Sequence, residues 1–204
     1  MELKNAKINF LGDSITQGQG FTPYVTVIKE KYGLSEANNC GIGGTRIAKQ
    51  TKPLTHIFDM YFGLRAKVMP KDVDAVVVFG GTNDYGHGDS KMGDIDSTDV
   101  YTFYGALNSL ITDLKTDYPN SKIVFLTPIR RSTEHCRNHN GKILEDYVNA
   151  IIDVTKKHNI PVIDLFRSEI FDPNDVNLVP DGLHPNNEGQ AILADYIAKE
   201  LIKI

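Results

Sequence analysis

The stretch Asp74-Ala75-Val76-Val77-Val78-Phe79 limits what this chain can fold into more than any other. Its apolar residues run without alternation, so neither face can look at water. A strand of that kind belongs in a parallel sheet covered by helices on both sides. The run halts at Gly80-Gly81-Thr82-Asn83-Asp84, and other segments repeat the arrangement. Ile8-Asn9-Phe10-Leu11 stops at Gly12-Asp13-Ser14, and Ala37 to Cys40 forms a short strand closed by Gly41-Ile42-Gly43-Gly44. Lys122 to Thr127 is stopped by Pro128, and Ile160-Pro161-Val162-Ile163-Asp164 is a last short strand.

Helical patterns lie between these runs. Thr22 reads as an N-cap with Pro23 at the first helical position, opening a helix through about Tyr32 that Gly33 ends. A second helix is expected over about Leu54 to Ala66. Phe103, Tyr104, Leu107, Leu110, Ile111 and Leu114 recur at helical spacing, as do Ile143, Leu144, Tyr147, Val148, Ile151 and Ile152. A terminal helix, capped by Asn186 or Asn187, turns Ile192, Leu193, Tyr196, Ile197 and Leu201 inward. Tyr85 to Thr98 is polar and rich in Gly and Asp, which predicts a surface loop. The segment holding Arg130, Arg131, His135, Arg137 and His139 reads as a solvated loop. Strand and helix alternate five times, which implies a parallel α/β sheet with right-handed crossovers.

At 204 residues, 41% apolar and 24% charged, the chain can bury one sizeable core, and no linker divides it; one domain over 1–204 is expected. The net charge of −4 speaks against a nucleic-acid partner, and no basic amphipathic helix suits a membrane. Cys40 and Cys136 give neither a disulfide framework nor metal-ligand spacing and are expected reduced. Met1 to Lys7 lacks the apolar core of a leader, so a cytoplasmic location is expected.

Four clusters carry chemistry: Asp13-Ser14, Gly43-Gly44, Asn83-Asp84 and Asp181 with His184. In a parallel sheet the carboxyl ends of all strands share one edge, where open α/β folds place their sites. A serine hydroxyl is a weak nucleophile unless a histidine takes its proton and a carboxylate orients that histidine. Asp181 and His184 are three apart, a spacing that can bring both side chains to one side of a turn, and Pro185 restricts the backbone of His184. Donors for an oxyanion could be the Gly44 N–H, the Asn83 side-chain amide and the Ser14 N–H. Each cluster alone has a plainer reading: Ser14 as a helix cap, Gly43-Gly44 as a turn, Asn83 as a strand terminator, and Asp181 to Pro185 as a solvated loop.

Taken together, Gly12-Asp13-Ser14, the turn from Asn39 to Gly44, Gly81-Thr82-Asn83-Asp84 and Asp181-Gly182-Leu183-His184 resemble the four ordered motifs of the SGNH (GDSL-type) esterase/lipase hydrolases. The resemblance implies a flavodoxin-like three-layer α/β/α sandwich whose five parallel strands are ordered 2-1-3-4-5. It also implies Ser14 as nucleophile, His184 as general base and then acid, Asp181 as its orienter, and Ser14, Gly44 and Asn83 as oxyanion donors. Gly44 is preferred over Gly41 and Gly43 because it matches the family's second motif when Asn39 is aligned to its asparagine. Thr16 stands where the nucleophile elbow of α/β-hydrolases has glycine, which argues against that other fold.

His135 and His139 lie four apart without a carboxylate to complete a zinc site, and His56, His87 and His158 have no partner legible in sequence. No metal or cofactor is expected. Asp13 is read as making a local structural hydrogen bond. The expected activity is hydrolysis of carboxylic esters through an acyl-enzyme, with short acyl groups such as acetyl on a sugar or other small polar alcohol. The substrate is thus a small molecule or carbohydrate ester, and the oligomeric state is open. The alternatives are a lysophospholipase or thioesterase of the same family, and a non-catalytic flavodoxin-like module cradling a phosphate or flavin at the same edge.

Overall fold

Every residue of strand β3 (Ala75–Phe79) is buried in the computed structural model, which describes residues 1–50, 60–87 and 90–204. β3 lies centrally among β1 (Lys7–Gly12), β2 (Glu36–Gly41), β4 (Lys122–Leu126) and β5 (Val162–Ile163), in the order β2-β1-β3-β4-β5, with every pairing parallel. Alternate side chains of each strand enter opposite layers. Ile8, Phe10, Ala75, Val77, Val124 and Leu126 pack on one side with α2 (Tyr24–Tyr32) and α7 (Asn187–Lys203). Leu11, Val76, Val78, Ile123 and Phe125 pack on the other with α3 (Phe62–Ala66), α5 (Phe103–Asp117) and α6 (Leu144–Lys157). The outcome is the flavodoxin-like three-layer sandwich.

Register, more than shape, positions the site. Gly12 pairs with Gly41 on one side and with Phe79 on the other, and Phe79 pairs with Leu126. Four strands therefore end level, and the segments that follow them open onto one edge. Gly41 permits close approach there: a Cβ on it would overlap the backbone of Thr16 and Gln17 in α1 (Ser14–Gln17).

Several elements depart from expectation. Pro23 takes the N-cap place with no side-chain cap bond, and Thr22 caps nothing. The Thr22 N–H donates to Asn187 Oδ1 at 2.8 Å and the Tyr24 N–H to Gln190 Oε1 at 2.8 Å, so α7 supplies the partners that a local cap would have given. The predicted helix over 54–66 is described only from residue 60; Met60 and Tyr61 are outside α3, and residues 54–59 lie outside the described residues. The loop expected from Tyr85 begins instead inside helix α4 (Thr82–His87), with Tyr85 buried and the one hydrogen of its hydroxyl shared between the carbonyls of Thr133 and Cys136. The segment after β4 is only partly solvated. Glu134 is buried, gripped by Arg130 Nε and Nη2 at 3.0 and 2.6 Å. Ile192 and Tyr196 are partly buried at the margin of the α7 face. Its cap is Asn186, whose side chain accepts from the N–H groups of Glu188 and Gly189. Cys40 and Cys136 are free thiols. No helix among the described residues is long and apolar enough to cross a membrane.

Candidate active site

Ser14 reaches the sheet edge because β1 stops at Gly12 and Asp13 caps α1, accepting the Ile15 N–H at 3.0 Å. The expected local bond of Asp13 is therefore present. Burial raises the Asp13 carboxyl to about 6, against the opposing pull of the Ile15 amide, His184 and Arg65.

Asp181 and His184 form a compact unit. Asp181 Oδ1 accepts the N–H groups of Leu183 at 2.9 Å and His184 at 2.6 Å, and Oδ2 meets His184 Nδ1 at 2.6 Å. Burial works to raise this carboxyl, but the His184 amide, the His184 ring and the Leu183 amide outweigh it and hold Asp181 below its ordinary value. A carboxylate at Nδ1 selects the tautomer with hydrogen on that nitrogen, which leaves Nε2 as an acceptor. Nε2 stands 2.9 Å from Ser14 Oγ. The hydroxyl can thus pass its proton to the ring as its oxygen attacks an electrophile.

Backbone donors face the same place. Of the three glycines in the turn after β2, the Gly41 N–H is taken by Asn39 Oδ1 and the Gly43 N–H by Gln17 Oε1, each at 2.9 Å. Gly44, at φ +74°, keeps an N–H with no partner among the described residues. Asn83 Nδ2 donates one hydrogen to Thr45 O at 3.0 Å, which fixes the amide orientation and leaves the second hydrogen available.

Two further residues hold this frame. Asp84 is fully buried and accepts the Ala48 N–H at 2.9 Å and the Ile47 N–H at 3.0 Å, pinning the chain that follows Gly44. Burial raises its carboxyl to about 6, opposed by those amides and by Arg46. Arg65, from α3, gives Nη1 to Cys40 O at 2.6 Å, Nη2 to Gly12 O at 2.9 Å and to Thr45 Oγ1 at 2.8 Å, and Nε to Met60 O at 3.0 Å. It ties the end of β1 to the end of β2 and to the Gly44 turn, and burial lowers its pKa to about 10. Nothing in the sequence marks Arg65, because an arginine on a helix reads as solvated surface and its partners are three backbone carbonyls and one hydroxyl that no spacing reveals.

Of the histidines left over, His135 is exposed beside Glu134, and His158 bonds Asn108 Oδ1 at 2.8 Å. His56 lies outside the described residues. Among the described residues no three His, Cys, Asp or Glu side chains could hold a metal ion.

No curated protein sequence matches the chain. Solved structures do. A protein from Lactobacillus plantarum is 29% identical over 98% of both chains with a TM-score of 0.86. An acetyl xylan esterase is 27% identical over 96% of this chain and 99% of its own, with a TM-score of 0.66. A lipase/acylhydrolase from Enterococcus faecalis, 24% identical over 96% and 95% with a TM-score of 0.67, shares the fold. The GDSL-like lipase/acylhydrolase family matches residues 10–192, and the chain belongs to that family of ester-bond hydrolases.

Proposed function

We propose that the protein is a serine esterase that removes short acyl groups, acetyl foremost, from a sugar or other small polar alcohol. The observation that carries the reading is the unbroken relay of Ser14 Oγ to His184 Nε2 at 2.9 Å and His184 Nδ1 to Asp181 at 2.6 Å. Ser14 Oγ attacks the ester carbon while its proton moves to Nε2, and the imidazolium formed is stabilised by Asp181. Negative charge gathers on the former carbonyl oxygen, where the N–H groups of Ser14 and Gly44 and the free hydrogen of Asn83 Nδ2 would receive it. The alcohol departs with the proton from Nε2, and water, deprotonated by the same nitrogen, releases the acid and restores Ser14.

The short acyl group and polar alcohol are supported by the likeness to an acetyl xylan esterase. The sequence also offers no long apolar lid. A phosphate- or flavin-binding module would leave the Ser14 to His184 contact without a task. Replacement of Ser14 by alanine should cut hydrolysis of p-nitrophenyl acetate by about 10⁴-fold or more, measured as kcat under saturating ester. Full activity in that variant would sink the reading. A chain-length series of p-nitrophenyl esters tests the acyl class: rates should fall beyond butyrate, whereas a maximum at long chains would favour a lysophospholipase.

A further inference from the structure

We infer that Arg131 receives a carboxylate carried by the alcohol part of the substrate, an inference that rests on the esterase reading above. Two adjacent arginines make the case by contrast. Arg130 closes its Nε and Nη2 edge on Glu134, the side-on geometry in which guanidinium grips carboxylate. The same edge of Arg131 meets no hydrogen-bond acceptor among the described residues. Its Nη1 is anchored to Thr82 Oγ1 at 3.2 Å and Thr82 O at 3.3 Å. Its Nε is buried without a partner, and Nη2 makes no hydrogen bond among the described residues. The guanidinium is half-buried and lies 5.4 Å over the Tyr85 ring; no described carboxylate is at ion-pair distance, only the longer-range charges of Asp181 and Asp13 offset its burial, and an anion from outside would complete it.

The surroundings fit such an anion. Arg131 helps wall a cavity of about 310 Å³ with Tyr85, Gly86, Thr133, Cys136, Arg137 and Asn138. Among the described residues that lining holds two arginines and no carboxylate, in a chain whose net charge is −4. The position also selects the alcohol side of the ester. Thr82, which anchors Arg131, precedes Asn83 directly, and the Ser132 N–H donates to Gly182 O at 2.9 Å, joining this segment to the loop that carries His184. The leaving oxygen must take its proton from His184 Nε2, so the alcohol lies toward that loop and toward Arg131.

The test compares acetate release from O-acetyllactate with release from O-acetyllactamide, which differ only in the carboxylate. The wild-type protein should prefer the anion by about tenfold or more in kcat/KM, expressed chiefly in KM. Arg131→Gln should bring the ratio near one, and Arg131→Lys, which keeps the charge but loses the fork, should fall between. A second measurement uses the wild-type protein alone: lactate should compete with O-acetyllactate where lactamide does not. A wild-type ratio of one, an unchanged ratio in Arg131→Gln, or equal competition by lactate and lactamide overturns the inference. Hydrolysis of neither ester removes the esterase reading and this one together, whereas hydrolysis of both at equal rates removes only this one.

Discussion

At the residue scale the candidate site rests on single hydrogens that are left over after the fold has used the rest. Asn83 shows this: one amide hydrogen serves Thr45 O, and only the other can serve a substrate. Asn83→Ala should lower kcat on p-nitrophenyl acetate by about 10²–10³ with KM changed little, because the bond it removes forms only when charge develops. Steady-state kinetics checks this, and an effect confined to KM would reassign Asn83 to ground-state binding. The proximity of Ser14, His184 and Asp181 could be read from sequence, since strand ends and a three-residue spacing bring them together. The choice among Gly41, Gly43 and Gly44 could not be read from the glycines themselves. It depends on Asn39 and Gln17, side chains that consume two of the three N–H groups.

At the element scale, apolar runs announced β1, β3 and β4, and helical spacing announced α5, α6 and α7. Errors arose where a distant element overrides local chemistry. Thr22 lost its capping role because Asn187 and Gln190 reach across from α7. Tyr85 lies in a helix of six residues whose glycine and polar composition looks like loop, and its ring is held by burial and by the carbonyls of Thr133 and Cys136. Arg65 belongs to this scale too, since one side chain joins β1, β2 and the Gly44 turn. Arg65→Met would take the guanidinium donor from the carbonyls of Gly12, Cys40 and Met60, of which Gly12 O keeps the Ile42 N–H at 3.2 Å. A loss of about 3 kcal/mol or more in unfolding free energy by urea titration is expected, with kcat falling more than KM rises. An unchanged unfolding midpoint would show that the three segments hold themselves.

At the scale of the whole molecule, the edge that gathers the site also gathers buried carboxyls. Asp13 and Asp84 each rise from an ordinary 3.8 to about 6. Between those values the folded chain keeps protons that the unfolded chain gives up, so these two groups make stability fall as pH climbs from about 4 to 6 and then level off. Asp13→Asn retains an oxygen for the Ile15 N–H yet cannot ionise. Relative to the wild-type protein it should gain up to about 3 kcal/mol at pH 7 and nearly nothing at pH 4, measured by urea unfolding at both pH values. An equal difference at the two pH values would place the cost elsewhere. The sign is invisible in sequence, where an aspartate before a helix reads simply as a favourable cap.

The loop from Asp181 to His184 is bonded mostly to itself: one carboxylate holds two of its own amides and its own imidazole. His184 and Asp181 are therefore coupled within one loop, and a shift of the loop would change the 2.9 Å gap to Ser14 before the 2.6 Å bond behind it. The site works like a clutch with a single pair of plates. What keeps the plates together is whatever seats the loop from outside, beginning with the Ser132 N–H on Gly182 O.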